Sequence, residues 1–150
     1  MKPLSKIMLI APCGMNCSLC MAFLRDKNKC FGCRGADIGK PITRTRCKIK
    51  SCANFQGSHK KYCFECNNFP CKELKHLDKR YRTRYSMSVI DNLTAIKGHG
   101  IRAFLRDEKA RWTCSKCGNT ICVHKGCCHI CETALIADSF YKIVIKGSGW

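Results

Sequence analysis

Cysteine is the residue type in this sequence whose spacing points most directly to chemistry. Sixteen cysteines occur among the 150 residues, and ten of them lie between Cys13 and Cys71. Two cysteines in a CxxC spacing turn both thiolates towards one point, so each such pair can supply two ligands to a metal ion. The sequence contains five of these pairs: Cys17/Cys20, Cys30/Cys33, Cys63/Cys66, Cys114/Cys117 and Cys128/Cys131. We therefore predict a protein stabilised by bound metal.

The cysteines of the N-terminal part form two predicted sites of four thiolates each. In the first site, two CxxC pairs are separated by nine residues, a spacing suited to one tetrahedral metal. The members of this site are Cys17, Cys20, Cys30 and Cys33. The most economical second site consists of Cys47, Cys52, Cys63 and Cys66. Cys13 and Cys71 are left over and could replace any member, and a two-metal cluster with shared thiolates is a further alternative.

The C-terminal cysteines predict a zinc ribbon, in which two knuckles face each other at the ends of short strands. Cys114, Cys117, Cys128 and Cys131 supply the four thiolates, with ten residues between the two pairs. Cys127 is an exchangeable alternative to Cys128, because only one of two adjacent side chains can easily point inward. The further spare donors are Cys122, His124 and His129. The tail, with FYKIVIKG at 140–147, has the alternation of a strand that could extend the sheet of the ribbon.

Zinc is the metal that closed four-thiolate sites favour, at about three ions per chain. An iron–sulfur cluster is the alternative for the N-terminal part. Cys13, Cys17 and Cys20 form CxxxCxxC, the spacing by which radical S-adenosylmethionine enzymes hold a 4Fe-4S cluster. Those enzymes need a large barrel of parallel strands, and the sequence has no alternation of strands and helices on that scale. An electron-transfer cluster held by four thiolates needs no such barrel and stays open.

Length and composition favour small modules held together by staples. The hydrophobic content of 45% includes the cysteines, so few other apolar residues are available to form a core. Bound metals or disulfides must therefore help to offset the loss of chain entropy on folding. The only apolar run near the start, Ile7 to Ala11, is too short for a signal peptide, and no stretch approaches the roughly 18 apolar residues of a membrane-spanning helix. We therefore expect a cytoplasmic protein, in which reduced thiols favour metal binding over disulfides.

A large excess of positive charge suggests a polyanionic partner. Twenty-eight Lys and Arg against ten Asp and Glu give a net charge of +18, which three four-thiolate zinc sites would lower to about +12. Such a charge favours nucleic acid first and an anionic membrane second. One basic run, between Ile38 and Phe64, contains no acidic residue. The candidate phosphate-binding residues are Arg44, Arg46, Lys48, Lys50, Lys60, Lys61, Lys72, Lys75, Lys79 and Arg82.

The helical pattern is clearest directly after the N-terminal cysteines, at residues 71–84. Its apolar side chains fall within a stripe about 80° wide, while the basic residues and His76 lie away from that stripe. The stripe consists of Leu74, Leu77, Tyr81 and Tyr85. One face of this helix is therefore expected to pack in a core, and the other to present positive charge.

Two further helices are predicted at residues 88–97 and 101–111, separated by the sequence GHG. Asp107 and Glu108 are expected to be ordinary surface charges rather than a catalytic pair, because adjacent helical residues point about 100° apart. Nearer the N-terminus, residues 4–12 are expected to be extended. A short helix with Ser18 as its N-cap is expected up to about residue 27.

The cysteine motifs taken together resemble a known family. CGMNCSLC, CFGC, CFECNNFPCKEL, NLTAIKGHGIRAFL, RWTCSKCG and VHKGCCHIC are similar to a group of small cysteine-rich prokaryotic proteins known as a domain of unknown function, and the resemblance covers nearly the whole chain. It implies metal binding by all ten cysteines from Cys13 to Cys71 and a terminal ribbon. Glu132 departs from the pattern, since the second knuckle of a ribbon often has glycine there. The resemblance implies no particular activity.

The sequence thus predicts an α+β protein of small metal-stapled modules. These are a cysteine-rich zinc-knuckle module at residues 1–71, a helical segment with a basic face at 72–111, and a zinc ribbon with a terminal strand at 112–150. The favoured function is non-enzymatic binding of RNA or of a ribonucleoprotein such as the ribosome. The alternatives are an iron–sulfur protein in electron transfer or radical chemistry and a protein-binding adaptor acting through the ribbon. Hydrolysis or group transfer at an open zinc site is disfavoured by the surplus of donors and the lack of an obvious general base, and His99 is the one histidine that would be tested for such a role.

Overall fold

The computed structural model describes residues 4–37, 40, 42–45, 47–55 and 59–134, and for residues 43 and 44 the backbone alone. The α+β class is confirmed, with helices and a small two-stranded sheet. The helices are α1 (Met21–Leu24), α2 (Ile42–Thr45), α3 (Lys72–Tyr85), α4 (Val89–His99) and α5 (Ile101–Arg111). The strands are β1 (Ile121–Cys122) and β2 (Cys127–Cys128), and short 3-10 turns occur at Cys17–Leu19, Ala53–Phe55 and Cys63–Glu65.

The three long helices lie close to their predicted positions. Helix α3 ends at Ser86, which adopts a left-handed conformation with φ 52°. Helix α4 begins after Ser88, whose Oγ accepts a hydrogen bond from the backbone N of Asp91 at 3.0 Å. Gly100 separates α4 from α5, and its φ of 87° is a conformation that glycine adopts at little cost.

The first part of the chain differs from the expectation. Residues 4–12 are not extended, because Lys6–Leu9 form a turn in which the N of Leu9 bonds to the O of Ser5. The predicted helix at 18–27 is also shorter. It is broken into a 3-10 turn capped by Asn16 instead of Ser18, followed by the single turn α1. The backbone N of Cys30 then bonds to the O of Ala22 at 2.8 Å, so the chain folds back to its own first CxxC pair.

One hydrophobic core receives residues from all three predicted segments. Leu9 comes from the first, Leu74 and Leu93 from the second, and Trp112 and Val123 from the third, all of them buried. The division into three modules stays a prediction. Within the described ranges, no helix is both long enough and apolar enough to cross a lipid bilayer.

The sheet of the C-terminal part is minimal. Strands β1 and β2 are antiparallel, with Ile121 opposite Cys128 and Cys122 opposite Cys127. The backbone N of Val123 donates to the O of Leu19 at 3.0 Å, which joins this sheet to the first cysteine knuckle. The strand predicted at 140–147 lies outside the described residues.

Candidate metal centre

Four thiols of the C-terminal part converge in the geometry of a metal site. The sulfur atoms of Cys114, Cys117, Cys128 and Cys131 all lie within 4.8 Å of one another. The Cys114–Cys131 and Cys117–Cys128 sulfur pairs are 3.6 and 3.4 Å apart. A tetrahedral zinc with Zn–S bonds of about 2.3 Å requires sulfur atoms about 3.8 Å apart. This group can therefore hold one metal ion with little rearrangement.

Hydrogen bonds around this group favour the thiolate form of two members. Oγ1 of Thr133 lies 3.1 Å from the sulfur of Cys131, and the side chain and backbone of Thr133 lower the pKa of that thiol to about 6. Nδ2 of Asn119 lies 3.3 Å from the sulfur of Cys117, and its hydrogen bond lowers the pKa of Cys117. Burial raises the pKa of Cys128 to about 11. A metal ion binds thiolates, so the lowered pKa values of Cys131 and Cys117 favour its capture.

The structure distinguishes the ligand candidates of the ribbon from its spare donors. Cys128, fully buried, contributes its sulfur to the group, while Cys127 faces Cys122 across the two-stranded sheet. Glu132, noted as a departure from glycine, has φ 61° and so adopts the left-handed conformation that glycine would take. The second knuckle of the ribbon therefore keeps its turn geometry with glutamate at this position. His124 is not a member of the four-thiol group, and its Nε2 lies 3.1 Å from the hydroxyl of Tyr81 in α3.

The first predicted N-terminal site is only partly assembled. The sulfurs of Cys17 and Cys33 are 3.8 Å apart, and a cavity of about 30 Å³ is lined by all four predicted ligands. Among the described residues, however, the ribbon group is the one set of three or more potential ligands within 4.8 Å of one another. The set of Cys17, Cys20, Cys30 and Cys33 therefore stays a prediction.

The remaining N-terminal thiols lie within electrostatic range of one another. Burial, followed by the charges of Cys33, Cys63 and Cys47, raises the pKa of Cys13. Burial and the charges of four neighbouring thiols raise the pKa of Cys63 to about 12. Those four neighbours are Cys71, Cys52, Cys66 and Cys47. Thiols that raise one another's pKa need a cation before all can ionise, which is the condition that a bound metal satisfies.

Two polar contacts support this N-terminal cluster. The sulfur of Cys66 accepts a hydrogen bond from Nδ2 of Asn54 at 3.3 Å, with the backbone N of Asn68 at 3.5 Å. The side chain of Lys40 is only 1% exposed, and it lines the same small cavity as Cys17 and Cys33. Its ammonium donates to the O of Gly35 at 3.0 Å. The same ammonium also pairs with the carboxylate of Asp37 at 3.1 Å, which Lys50 shares.

The basic residues chosen from the sequence are unequally available. Lys72, Lys75 and Lys79 are exposed on α3. Arg82 instead pairs with the carboxylates of Asp78 and Asp91, its guanidinium lying 3.4 Å from Asp91. Lys48 lies 3.9 Å from Glu73, and Lys50 pairs with Asp37. Lys61 is exposed and Lys60 half-buried. Arg46 and the side chain of Arg44 lie outside the described residues, and the role of all these residues in RNA binding stays a prediction.

A groove that the sequence did not indicate runs between α3 and the N-terminal cysteines. Its volume is about 570 Å³, and Cys13, Cys33 and Cys47 line one side of it. Arg80 and Arg84 line the other side, and the sequence analysis selected neither of them. Their spacing of four residues beside the apolar stripe was the only available signal, because it places both on one flank of α3.

One carboxylate expected at the surface is buried instead. Glu108 is 4% exposed, while its neighbour Asp107 is exposed as expected. Nδ2 of Asn16 donates to Oε2 of Glu108 at 3.4 Å, and this partner is 92 residues away in the chain. Burial raises the pKa of Glu108, although Arg111 and Asn16 act in the opposite direction. His99, the one histidine considered for a catalytic role, is exposed at the end of α4.

Comparison with known proteins gives one match. No curated protein and no solved structure matches the chain. The resemblance expected over nearly the whole chain is found over its first half, and the ribbon lies outside the match. The segment that holds ten of the sixteen cysteines, residues 9–76, matches the model of a family described as protein of unknown function (DUF3795), which confirms the family resemblance for that segment.

Proposed function

We propose that the protein is a zinc-stabilised RNA-binding protein of the cytoplasm that acts on RNA or on a ribonucleoprotein such as the ribosome. The observation that carries this proposal is the division of α3 into two faces. Leu74 and Tyr81 are buried in the core that also contains the cysteine knuckles, while Lys72, Lys75 and Lys79 are exposed. Lysines held on a rigid helix can follow a phosphate backbone.

The metal sites would serve this function indirectly, by fixing the scaffold. A chain with two-residue strands and short turns gains little stability from its sheet, so closed thiolate sites would have to hold those segments in place. Zinc in the ribbon group fits this role, because four thiolates leave no open position for a substrate. About three zinc ions per chain remain the proposal for the whole molecule.

Electrostatic contacts would supply most of the affinity. Tyr81 is buried, and Tyr85 is half-buried against His124 on the groove side of α3, so neither ring stands beside the exposed lysines. Tyr62 stacks on Phe64 with ring centroids 5.4 Å apart, and the guanidinium of Arg34 lies over its ring. These three tyrosines are thus already engaged within the protein. We expect little preference for sequence and a strong dependence on salt.

The test is binding of a short single-stranded RNA of mixed sequence, measured by fluorescence anisotropy over a series of potassium chloride concentrations. Replacing Lys72, Lys75 and Lys79 together by Gln should reduce the slope of log affinity against log salt by about two, since each phosphate contact on a single strand contributes about 0.7. The control replaces Lys97, Arg102 and Arg106, which are exposed on α4 and α5, and removes the same charge.

Two outcomes would overturn the proposal. One is the absence of RNA binding by the metal-loaded wild type at low salt. The other is an equal loss of affinity in the α3 variant and in the control variant, because net charge alone would then account for binding. Metal analysis of the same preparation shows whether zinc or iron with sulfide is present. Iron with sulfide would favour the electron-transfer alternative instead.

A further inference from the structure

The groove between α3 and the N-terminal cysteines has the size of a small-molecule site. Its volume of about 570 Å³ lies within the range of roughly 300 to 1,000 Å³ that is usual for ligand sites in proteins. Cys13, Cys33 and Cys47 form one side, and α3 forms the other. We propose that this groove binds a nucleotide-sized ligand, with a phosphate group held by Arg80 and Arg84 and an aromatic ring against the wall that contains Tyr85 and His124.

The phosphate end of the site is defined by two arginines one helical turn apart. Arg80 and Arg84 are both exposed and both line the groove. Among the described residues, no carboxylate lies within ion-pair distance of either guanidinium. Lys48 lines the groove as well. Its ammonium lies 3.9 Å from the carboxylate of Glu73, the one carboxylate in the lining. Three cations against one carboxylate favour an anion, and paired guanidinium groups suit phosphate in particular.

The other end of the site is an aromatic wall that is already held in place. The rings of Tyr81 and Tyr85 lie edge-on to His124, with centroids 5.8 and 4.9 Å away. The hydroxyl of Tyr81 lies 3.1 Å from Nε2 of His124, which fixes the imidazole relative to α3. Leu77 and Met15 add apolar surface to the same groove. A flat ring can pack against this wall without first ordering its side chains.

This site is separate from the lysines of the proposed RNA-binding face. At about 100° per residue, the mean direction of Arg80 and Arg84 lies roughly 140° around α3 from that of Lys75 and Lys79. The groove can therefore be occupied whether or not the lysine flank binds RNA. Its ligand could be a free mononucleotide or the terminal nucleotide of a strand, because both present the same phosphate and ring.

The test is calorimetric titration of the metal-loaded full-length chain with adenosine 5′-monophosphate. We expect the pair Arg80→Gln and Arg84→Gln to weaken binding at least tenfold, roughly what the loss of charge-assisted hydrogen bonds predicts. The pair Lys97→Gln and Arg102→Gln removes the same charge from exposed positions on α4 and α5 that do not line the groove, and should change affinity less than about twofold. Adenosine and inorganic phosphate, each lacking one half of the ligand, should both bind at least about tenfold more weakly.

A short RNA with a 5′-phosphate, compared with the same RNA with a 5′-hydroxyl, identifies the source of the ligand. Tighter binding of the phosphorylated strand that depends on Arg80 and Arg84 supports a strand terminus, and binding of the mononucleotide alone supports a free nucleotide. The proposal is overturned if neither the mononucleotide nor the phosphorylated strand binds through these arginines. It is also overturned if the two variant pairs lose the same affinity. Either result would leave the proposal of RNA binding through Lys72, Lys75 and Lys79 unaffected.

Discussion

The hydroxyl of Tyr81 in α3 lies 3.1 Å from Nε2 of His124 in the ribbon, 43 residues further along the chain. The backbone N of Met21 donates to the other ring nitrogen, Nδ1, at 3.3 Å. Since Nδ1 accepts a hydrogen bond, Nε2 must carry the proton of the neutral ring and donate it to the oxygen of Tyr81. One imidazole thus joins α1, α3 and the C-terminal module.

Replacing His124 by Phe should lower the free energy of unfolding by about 1 to 2 kcal/mol, because the ring shape is kept while two hydrogen bonds to the neighbouring segments are lost. Urea denaturation of the metal-loaded protein measures this change. His99→Phe serves as the control, since His99 is exposed at the end of α4 and should contribute less than about 0.5 kcal/mol. Equal losses in the two variants would refute the linking role of His124.

Asp78 is the buried carboxylate that connects α3 with α4, and we expect Asp78→Asn to cost about 2 kcal/mol at neutral pH. Its side chain is 7% exposed, and its Oδ1 accepts hydrogen bonds from Ser88 Oγ at 2.6 Å and from the backbone N of Ile90 at 3.0 Å. An amide at this position must turn a donor towards one of these groups or towards Arg82. Asp91→Asn, at a more exposed partner of Arg82, should cost much less.

The same carboxylate gives this prediction a defined pH dependence. Burial acts to raise the pKa of Asp78, but the hydrogen bonds from Ser88, Ile90 and Arg82 outweigh it and the pKa is lowered. A lowered folded-state pKa stabilises the protein above the unfolded value of about 4, and this contribution is lost as pH falls through the folded-state pKa. The difference between wild type and Asp78→Asn should therefore shrink below about pH 4. A difference that stays constant down to pH 2 would contradict this account.

Local patterns in the sequence were sufficient to predict the three long helices and the grouping of the four ribbon cysteines. The stripe of Leu74, Leu77, Tyr81 and Tyr85 depends on a repeat within one helix, and its members are buried or half-buried as expected. The CxxC pairs of the ribbon bring their thiolates together through turns that are local in sequence. Both features are fixed by neighbours within a few residues, so the sequence alone contains the information.

The features that sequence reasoning missed depend on contacts between distant segments. Glu108 is buried because Asn16 meets it across 92 residues, and no local pattern in α5 indicates that contact. The helical period places Arg80 and Arg84 on one flank of α3, but it does not determine which flank of the helix faces the cysteines. Similarly, the choice between Cys127 and Cys128 depends on the register of β2 against β1. Tertiary packing decides each of these cases.

Glu108→Gln should stabilise the protein increasingly as the pH rises from 4 to 7. Burial raises the pKa of Glu108 above its ordinary value. A carboxyl with a raised folded-state pKa favours the folded state at low pH, and this contribution disappears as the pH rises through that pKa. Gln does not ionise and still offers Asn16 an acceptor. Urea denaturation of wild type and variant across this pH range gives the difference in their free energies of unfolding. Protonation of the thiols affects both proteins equally, so it cancels in this difference.

Asp107→Asn is the control for this experiment, because Asp107 is the exposed neighbour on the same helix and should show a nearly constant difference from wild type. A Glu108→Gln variant that is less stable at every pH would indicate that the buried carboxylate, not its neutral form, is required. If Glu108 were an exposed surface charge, as the sequence predicts, the difference in stability between Glu108→Gln and wild type would not change with pH.

Thr133→Val should reduce zinc affinity of the ribbon by roughly tenfold, the lower end of what loss of a group bonded to a metal ligand typically causes. Oγ1 of Thr133 lies 3.1 Å from the sulfur of Cys131, and Val has nearly the same shape without the donor. Competition with a chromophoric chelator at neutral pH measures the change. Thr94→Val, on the exposed side of α4, should leave zinc affinity unchanged. An unchanged affinity in Thr133→Val would show that this hydroxyl does not support a metal ligand.

Two adjacent cysteines provide the sharpest test of the ribbon site. The sulfur of Cys128 belongs to the four-thiol group, whereas Cys127 lies opposite Cys122 in the sheet. We therefore expect Cys128→Ser to lose one metal ion per chain and Cys127→Ser to lose none, as counted by native mass spectrometry. The reverse result would place the second knuckle at Cys127, in a register different from that of β1 and β2. Full metal retention in both single variants but not in the double variant would mean that either cysteine can complete the site. Retention in all three variants would mean that the ribbon holds no metal, and the short strands would then need another source of stability.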